Sequence, residues 1–128
     1  MCLLSLQKGL GTEQLRTAAK GFPVEDFAAE LDEAAGPFID TAAMIRNLDL
    51  VVTSDTVIAH LAGALGMPVW VALPLVPDWR WLLHRRDTPW YPTMRLFRQR
   101  SPGDWPGLFA EIQAALRGYV LAQTAHPV

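Results

Sequence analysis

A carboxylate, a hydroxyl and an imidazole fall close together near the middle of the chain, within residues 54–60. Asp55 lies where a predicted buried strand ends, and Thr56 and His60 are four residues apart on the helix predicted to follow. Because residues four apart lie on one face of a helix, these two side chains are expected to point the same way. The N–H groups at a helix N-terminus, with a hydroxyl and an imidazole beside them, suit a phosphate or diphosphate. These residues therefore predict an anion site.

Each of the three residues also has an ordinary structural role. Asp55 can cap the helix, Thr56 can be a first-turn residue, and His60 can be a partly buried histidine with satisfied hydrogen bonds. Their convergence at the carboxyl end of a predicted parallel strand favours a site, because open α/β sheets bind their ligands there. The same rule selects residues 7–12, the loop after the first predicted strand, which carries Gln7 and Lys8.

The basic residues are concentrated in the second half of the chain. Residues 78–128 carry seven arginines and four carboxylates, whereas residues 1–77 carry four basic and nine acidic side chains. Six of the arginines lie between Arg80 and Arg100, together with Trp81, Trp90 and Tyr91, and Trp79 immediately precedes them. Guanidinium groups bind phosphate bidentately and stack on aromatic rings, so this stretch can border an anion site. The alternative is a solvated connection whose tryptophans cover the edge of a core.

The elements that must position these residues alternate between strand and helix. Apolar runs predict strands at residues 2–6, 48–53, 68–73 and 94–97, with a further candidate at 22–27. Helices are predicted at residues 13–20, 41–47, 56–65 and 105–121, the second capped by Asp40 or Thr41 and the last opened by Asp104 or Trp105. Alternation with continuously apolar strands implies a parallel sheet covered on both faces. With right-handed crossovers, this predicts an α/β fold with a three-layer, doubly wound, Rossmann-like sheet.

Length and composition set the remaining bounds. The chain has 128 residues, a common domain length, which favours one domain over residues 1–121 with a disordered tail at 122–128. Its net charge is −2, and it has one cysteine. Balanced charge does not favour nucleic-acid binding, and one cysteine excludes an internal disulfide framework. No apolar run reaches the roughly 18 residues of a membrane span, and residues 1–6 are too short for a signal peptide. We therefore expect a cytoplasmic domain that binds neither nucleic acid nor a membrane and contains no metal.

One long segment resembles a known family. Residues 54–70 read Ser-Asp-Thr-Val-Ile-Ala-His-Leu-Ala-Gly-Ala-Leu-Gly-Met-Pro-Val-Trp. This resembles the Asp-Ser-Gly-x-x-His-Leu-Ala-x-Ala-Leu-Gly-x-Pro signature of heptosyltransferase-like glycosyltransferases with the GT-B fold. It is closer still to the GT-B domain that follows tetratricopeptide repeats in many bacterial proteins. Further similarity lies in residues 5–9, 40–45, 77–82, 89–99 and 103–105, so the resemblance covers residues 2–118.

The resemblance implies a donor-binding role for the central segment, as a single half of a GT-B fold. Asp55 would face the sugar or ribose hydroxyls of a nucleotide sugar. His60 and the N–H groups around Thr56 would face its diphosphate and stabilise charge on the departing nucleotide.

The resemblance also implies contacts from other segments. Lys8 is similar to the family's phosphate-contacting basic residue, with Gln7 beside it. Thr41 could add a hydroxyl to the same pocket, and Arg80 is a further candidate for a phosphate or acceptor contact. The nucleotide sugar would be the ligand, with no metal or other cofactor.

The chain is short for a complete enzyme of this type. A GT-B enzyme has two Rossmann-like domains whose cleft excludes water and holds both reactants. The resemblance therefore predicts a nucleotide-sugar-binding half that does not transfer hexose or heptose without an acceptor-binding domain, and it assigns no catalytic residue. The alternative is a non-catalytic interaction or scaffold module, possible as a homodimer that buries the surface otherwise covered by the acceptor domain.

A third hypothesis is a phospho-receiver domain, because such domains carry an aspartate at the end of a central strand, as Asp55 does. A receiver also needs an acidic pair after its first strand. This chain has Gln7 and Lys8 at that place, which disfavours the hypothesis.

Overall fold

Strands and helices alternate along the chain in a computed structural model that describes residues 1–18, 21–34 and 36–125. The described strands pair in parallel, which confirms the mixed α/β fold predicted from the sequence. The chain divides into two compact units, unit 1 (Met1–Asn47) and unit 2 (Leu48–Val128). The strands are β1 (Leu3–Ser5), β2 (Val24–Asp26), β3 (Val51–Ser54), β4 (Val69–Leu73) and β5 (Met94–Arg98). The α-helices are α1 (Glu13–Ala18), α2 (Ile39–Ile45), α3 (Val57–Ala64) and α4 (Trp105–Thr124), with a 3₁₀ turn at Trp79–Trp81.

Unit 1 contains the two-stranded sheet, in which Leu3 pairs with Val24 and Ser5 with Asp26. Its buried residues include Leu31 and Ile45, which supply apolar packing around the start and end of α2. The sequence prediction placed a cap of α2 at Asp40 or Thr41, and this is wrong. The helix begins earlier, at Ile39, and its N-cap residue Phe38 makes no side-chain capping bond.

The N-terminus of α2 is instead capped by Asp32, seven residues before the helix. One carboxylate oxygen of Asp32 accepts the backbone N–H groups of Asp40 (2.9 Å) and Thr41 (3.1 Å), and the other accepts the Thr41 hydroxyl at 2.6 Å. Asp40 returns the bond by accepting the backbone N–H of Asp32 at 2.9 Å. The hydrogen bond from the Thr41 hydroxyl, with those from the backbone, lowers the pKa of Asp32 below its ordinary value.

Unit 2 is built on a three-stranded sheet in the order β3-β4-β5. Val51 pairs with Val69, and Val69 pairs in turn with Met94. All five residues of the central strand β4 are buried, as expected for a strand covered on both faces. On one face, Leu108 and Ile112 of α4 pack against apolar residues of β4 and β5: Trp70, Ala72 and Phe97.

The bounds of several elements differ from the predictions. Thr56 is the N-cap of α3, so the helix begins one residue later than predicted and Thr56 is not a first-turn residue. Asp104 does cap α4, since its carboxylate accepts the N–H of Gly107 at 2.9 Å. That helix continues to Thr124, beyond the predicted end at residue 121, because nothing in that stretch breaks a helix. Residues 19–20 of the first predicted helix and residues 126–128 of the predicted tail lie outside the described residues. Among the helices described, none has both the length and the apolar character of a membrane span.

The Asp32 cap generates a prediction about stability in acid. Asp32→Asn preserves a residue type that tolerates the left-handed backbone at this position (φ 59°) but removes the charge. Because folding lowers the pKa of Asp32, its stabilisation is complete above the ordinary value of 3.8 and is lost as pH falls through the lower folded value. We expect the variant to melt several degrees lower near neutral pH, with a difference that shrinks below about pH 4.

Thermal unfolding followed by circular dichroism across this pH range measures the effect. Glu30→Gln, at an exposed position, is the matched control. It should change neither the melting temperature near neutral pH nor the decrease of the melting temperature below about pH 4. If the melting temperatures of Asp32→Asn and of the unchanged protein depend on pH in the same way, the assignment of this cap is contradicted.

Candidate functional site

The N-terminus of α3 is open at the carboxyl end of β3. The strand ends at Ser54, Asp55 forms the turn, and Thr56 follows in an extended conformation (φ −136°) as the N-cap. The Thr56 side chain makes no capping hydrogen bond to the helix. Its hydroxyl lies instead 3.1 Å from the hydroxyl of Thr53. Asp55, Thr56 and Val57 are exposed, and the first N–H groups of this eight-residue helix have no side-chain cap.

His60 lies one turn into α3 with a polar group at each ring nitrogen. The Tyr91 hydroxyl is 3.0 Å from Nδ1, and Nη1 of Arg80 is 3.2 Å from Nε2. A guanidinium can only donate, so Nε2 accepts from Arg80 and Nδ1 carries the proton that it donates to Tyr91. The nearest oxygen of Asp55 is 3.9 Å from Nε2, too long for a hydrogen bond.

Aromatic packing fixes the plane of the imidazole. The ring of Trp81, which is fully buried, stacks on His60 with centroids 5.3 Å apart and an interplanar angle of 21°. Tyr91 meets the same imidazole edge-on, with centroids 5.8 Å apart. Gly63 makes room for this arrangement, because a Cβ added there would lie 2.5 Å from the Tyr91 ring. His60 is thus held on two sides by rings and at both nitrogens by hydrogen bonds.

Arg80 is oriented by its own turn. Asp78 accepts from the backbone N–H of Arg80 at 3.1 Å and from Nε at 2.9 Å. These contacts, the backbone bond first, lower the pKa of Asp78 below its usual range. From the other side, the indole N–H of Trp90 donates to the Arg80 carbonyl at 2.9 Å. The guanidinium is therefore held beside the imidazole, with Nη1 directed at Nε2 of His60.

The structure brings four of the seven predicted site residues together in unit 2: Asp55, Thr56, His60 and Arg80. The other three belong to unit 1 and already have partners there. The Lys8 ammonium donates to the Leu31 carbonyl and lies 3.1 Å from Glu33. Gln7 donates to the Leu10 carbonyl at 2.8 Å, and the buried Thr41 donates to Asp32.

Sequence reasoning missed the residues that orient this cluster, namely Asp78, Trp81, Tyr91 and Gly63. The pair Asp78 and Arg80, two residues apart, is a local signal that could have been noticed. The contacts of Trp81 and Tyr91 with His60 join residues 21 and 31 positions apart, and no spacing rule indicates them. Among the described residues, no group of three or more histidines, cysteines and carboxylates is placed to hold a metal ion.

Fold and site together define a mixed α/β protein of parallel strands with a histidine–arginine cluster at the carboxyl end of a strand. No family model matches the chain, and no solved structure matches it. The chain is similar to Protein FlbA of Caulobacter vibrioides, with 29% identity over 116 residues. This alignment covers 91% of the chain and 19% of FlbA, so the chain spans about a fifth of the length of that relative.

The close approach of Tyr91 to α3 predicts opposite effects for two glycine substitutions in helices. Gly63→Ala would place a methyl group 2.5 Å from the Tyr91 ring, whereas nothing lies within 4 Å of a Cβ added at Gly118 in α4. We expect Gly63→Ala to displace Tyr91 from His60 and to destabilise the protein by about 1–3 kcal/mol. Gly118→Ala should be neutral or stabilise by up to about 1 kcal/mol, because alanine favours helix.

Urea unfolding of both variants measures these free energies, and the chemical shifts of the Tyr91 ring report its displacement. A Gly63→Ala protein as stable as Gly118→Ala, with unmoved Tyr91 signals, would contradict this packing.

Proposed function

We propose that the chain is the nucleotide-sugar-binding half of a glycosyltransferase with the GT-B fold, inactive in transfer without an acceptor-binding domain. In this proposal its strands belong to a three-layer, doubly wound, Rossmann-like sheet. One observation carries the proposal: Arg80 contacts His60, one turn into α3, and this helix follows the carboxyl end of β3 without a side-chain cap. Parallel α/β sheets bind nucleotides at such strand ends.

The diphosphate is the part of the ligand that this cluster suits best. The free N–H groups of α3 and the positive end of its dipole attract phosphate oxygens, and the Thr56 hydroxyl can donate one more bond. Arg80 adds a guanidinium whose Nη1 now donates only to His60. A phosphate oxygen in that place would accept from Arg80, and together these donors would stabilise charge on a departing nucleoside diphosphate.

Asp55 supplies the opposite chemistry at the same strand end. Its ionised carboxylate can only accept hydrogen bonds, so sugar or ribose hydroxyls are the groups it would hold. Its nearest oxygen lies 3.9 Å from His60, which keeps the carboxylate near the proposed diphosphate without a direct bond to the imidazole. A ligand with a diphosphate next to hydroxylated rings matches both halves of the cluster.

The acceptor-binding part of the enzyme is proposed to lie elsewhere in a longer protein. The aligned region is 19% of FlbA, so a relative carries similar sequence within a longer chain. In a GT-B enzyme the second domain completes the cleft and brings the acceptor to the donor. In this proposal the protein is bacterial and cytoplasmic, linked to tetratricopeptide repeats, and transfers a hexose or heptose.

A titration of the 128-residue chain with nucleotides tests the proposal. With UDP, GDP and ADP, each with and without an attached sugar, we expect backbone amide shifts at residues 55–60 in nuclear magnetic resonance spectra. Asp55→Ala and His60→Ala should each weaken the response at least about tenfold, the loss of one charge-assisted or site-orienting contact. Asp49→Ala is the matched control, because it removes an exposed carboxylate just before β3 instead of just after it.

If the amide signals of residues 55–60 do not shift with nucleotide up to about 1 mM, the proposal is overturned, because the binding free energy is then weaker than about 4 kcal/mol. An undiminished response in both Asp55→Ala and His60→Ala would place the ligand elsewhere. The absence of any shift favours the second candidate, a non-catalytic interaction module.

The second candidate is a non-catalytic interaction module that acts as a homodimer. It is favoured by exposed apolar side chains in the connection between β4 and β5: Val76, Trp79 and Leu83, exposed by 80%, 77% and 59%. Large exposed apolar groups mark interaction surfaces. If this candidate is correct, sedimentation equilibrium shows a dimer that Trp79→Ser dissociates, whereas the exposed control Phe22→Ser leaves it intact.

A further inference from the structure

A second concave region of unit 2 lies beside the carboxyl end of β5. It is a cleft of about 390 Å³. Four arginines, one amide and one carboxylate are among the residues that line it: Arg85, Arg86, Arg98, Arg100, Gln99 and Glu111. It shares no lining residue with the cluster around His60. Its volume falls within the range of small-molecule sites, which is roughly 300–1,000 Å³.

Arg98, the last residue of β5, is a partly buried cation without an anionic partner in the part of the chain that the structure describes. Its Nε donates to the Arg85 carbonyl at 3.1 Å, and Nη2 donates to the Trp81 carbonyl. Its Nη1 is buried and has no hydrogen-bond partner among the described residues. Burial lowers the pKa of Arg98, as expected when no nearby carboxylate offsets the lost hydration. Unpaired buried charge is costly, so the arrangement suits an anion from outside.

Gln99 adds a second unused donor at the same place. Its side chain is 4% exposed, and Oε1 accepts the backbone N–H groups of Leu75 (3.3 Å) and Gly103 (3.1 Å). Two donors facing one end of the amide require the oxygen there, which fixes Nε2 at the other end. No hydrogen-bond partner of Nε2 is present within the described ranges. Buried donors are nearly always satisfied in native proteins, so a partner of Nε2 is expected, and Gln99 is one of the residues that line the cleft.

Two further arginines stand at the rim. Arg86 and Arg100 are exposed, and both contact the same carboxylate, Glu111 of α4, at 3.2 Å and 3.4 Å. One carboxylate therefore serves two guanidinium groups. Arg85 is paired with Asp87 at 2.7 Å and contributes mainly its carbonyl, which holds Arg98. Beyond its ion pairs, the cleft keeps an excess of positive charge.

We propose that this cleft binds a phosphate-bearing small molecule. One phosphate oxygen accepts from Nη1 of Arg98 and another from Nε2 of Gln99, while Arg86 and Arg100 turn from Glu111 toward the remaining oxygens. A phosphate group offers several acceptors in a tetrahedral arrangement and up to two negative charges, which matches donors that converge from β5 and from the segment before it. The cleft is larger than one phosphate ion, so room remains for a second phosphate or an organic group.

Titration of the chain with inorganic phosphate, pyrophosphate and ribose 5-phosphate at constant ionic strength tests the proposal. We expect saturable changes in the Gln99 side-chain amide and the Arg98 Nε–H signals, and none with an equivalent amount of chloride. Tighter binding of pyrophosphate than of ribose 5-phosphate would identify a diphosphate ligand, and the reverse order an organic monophosphate. A silent Gln99 amide up to about 10 mM of all three probes would overturn the proposal.

Substitutions distinguish specific phosphate binding in the cleft from nonspecific attraction of anions to positive charge. Arg100→Gln and Gln99→Glu should weaken binding about tenfold or more, the second by placing negative charge where Nε2 donates. Glu111→Gln should tighten binding about three- to tenfold, because it removes the carboxylate that competes for two arginines. Arg117→Gln, an exposed arginine of α4, is the matched control and should change nothing. Equal losses in Arg117→Gln and Arg100→Gln would contradict a specific site.

Arg100 is on the surface, so its variant remains informative even if Gln99→Glu impairs folding. The outcome is also independent of the function proposed above. Asp55→Ala should leave phosphate and pyrophosphate shifts at Gln99 unchanged, and loss of the Gln99 response in that variant would contradict two separate sites.

Discussion

Burial of Trp81 is the constraint on which the polar end of unit 2 depends. Its ring is fully buried and stacks on His60, while its carbonyl accepts from Arg98. Arg80, the residue before it, is thereby brought to the imidazole. The chain then leaves through two non-glycine residues with left-handed backbone, Leu82 (φ 55°) and His84 (φ 58°), a conformation that is kept only when surrounding contacts compensate for it. This path carries Arg86 to the edge of β5, where its carbonyl accepts the Leu96 N–H at 2.7 Å.

The sequence predicts the central part of unit 2 well because its signals there are local. The strands predicted at 48–53 and 68–73 correspond to β3 and β4, since continuous apolar runs are what a strand covered on both faces requires. The connection between β4 and β5 escapes prediction because its path depends on Trp81 and on the backbone at Leu82 and His84. For the same reason, the Tyr91–His60 contact and the Asp32 cap, which joins residues eight or more apart, are not evident from spacing.

The arginine-rich stretch shows why composition alone was ambiguous. The sequence suggested arginines beside the tryptophans and Tyr91 of this stretch, and the structure shows a different arrangement. Trp81 stacks on a histidine, whereas Arg95 lies over Phe97, 4.5 Å from the ring centroid. Arg80 and Arg85 each pair with a carboxylate two residues away, and Arg86 and Arg100 share Glu111. The stretch thus contains four arginines with carboxylate partners, one over aromatic rings and one, Arg98, that has only carbonyl partners within the described residues.

This pairing has a consequence for selectivity at the proposed cleft beside β5. Its two rim arginines, Arg86 and Arg100, are both held by Glu111. In that proposal a ligand must replace this carboxylate, and a monovalent anion such as chloride offers no more charge and fewer acceptor atoms than the group it displaces. A phosphate dianion or a diphosphate offers more of both, so the exchange becomes favourable. Because exposed ion pairs contribute little, the exchange also costs little free energy. Glu111 would therefore favour the binding of multivalent phosphates over that of simple salts.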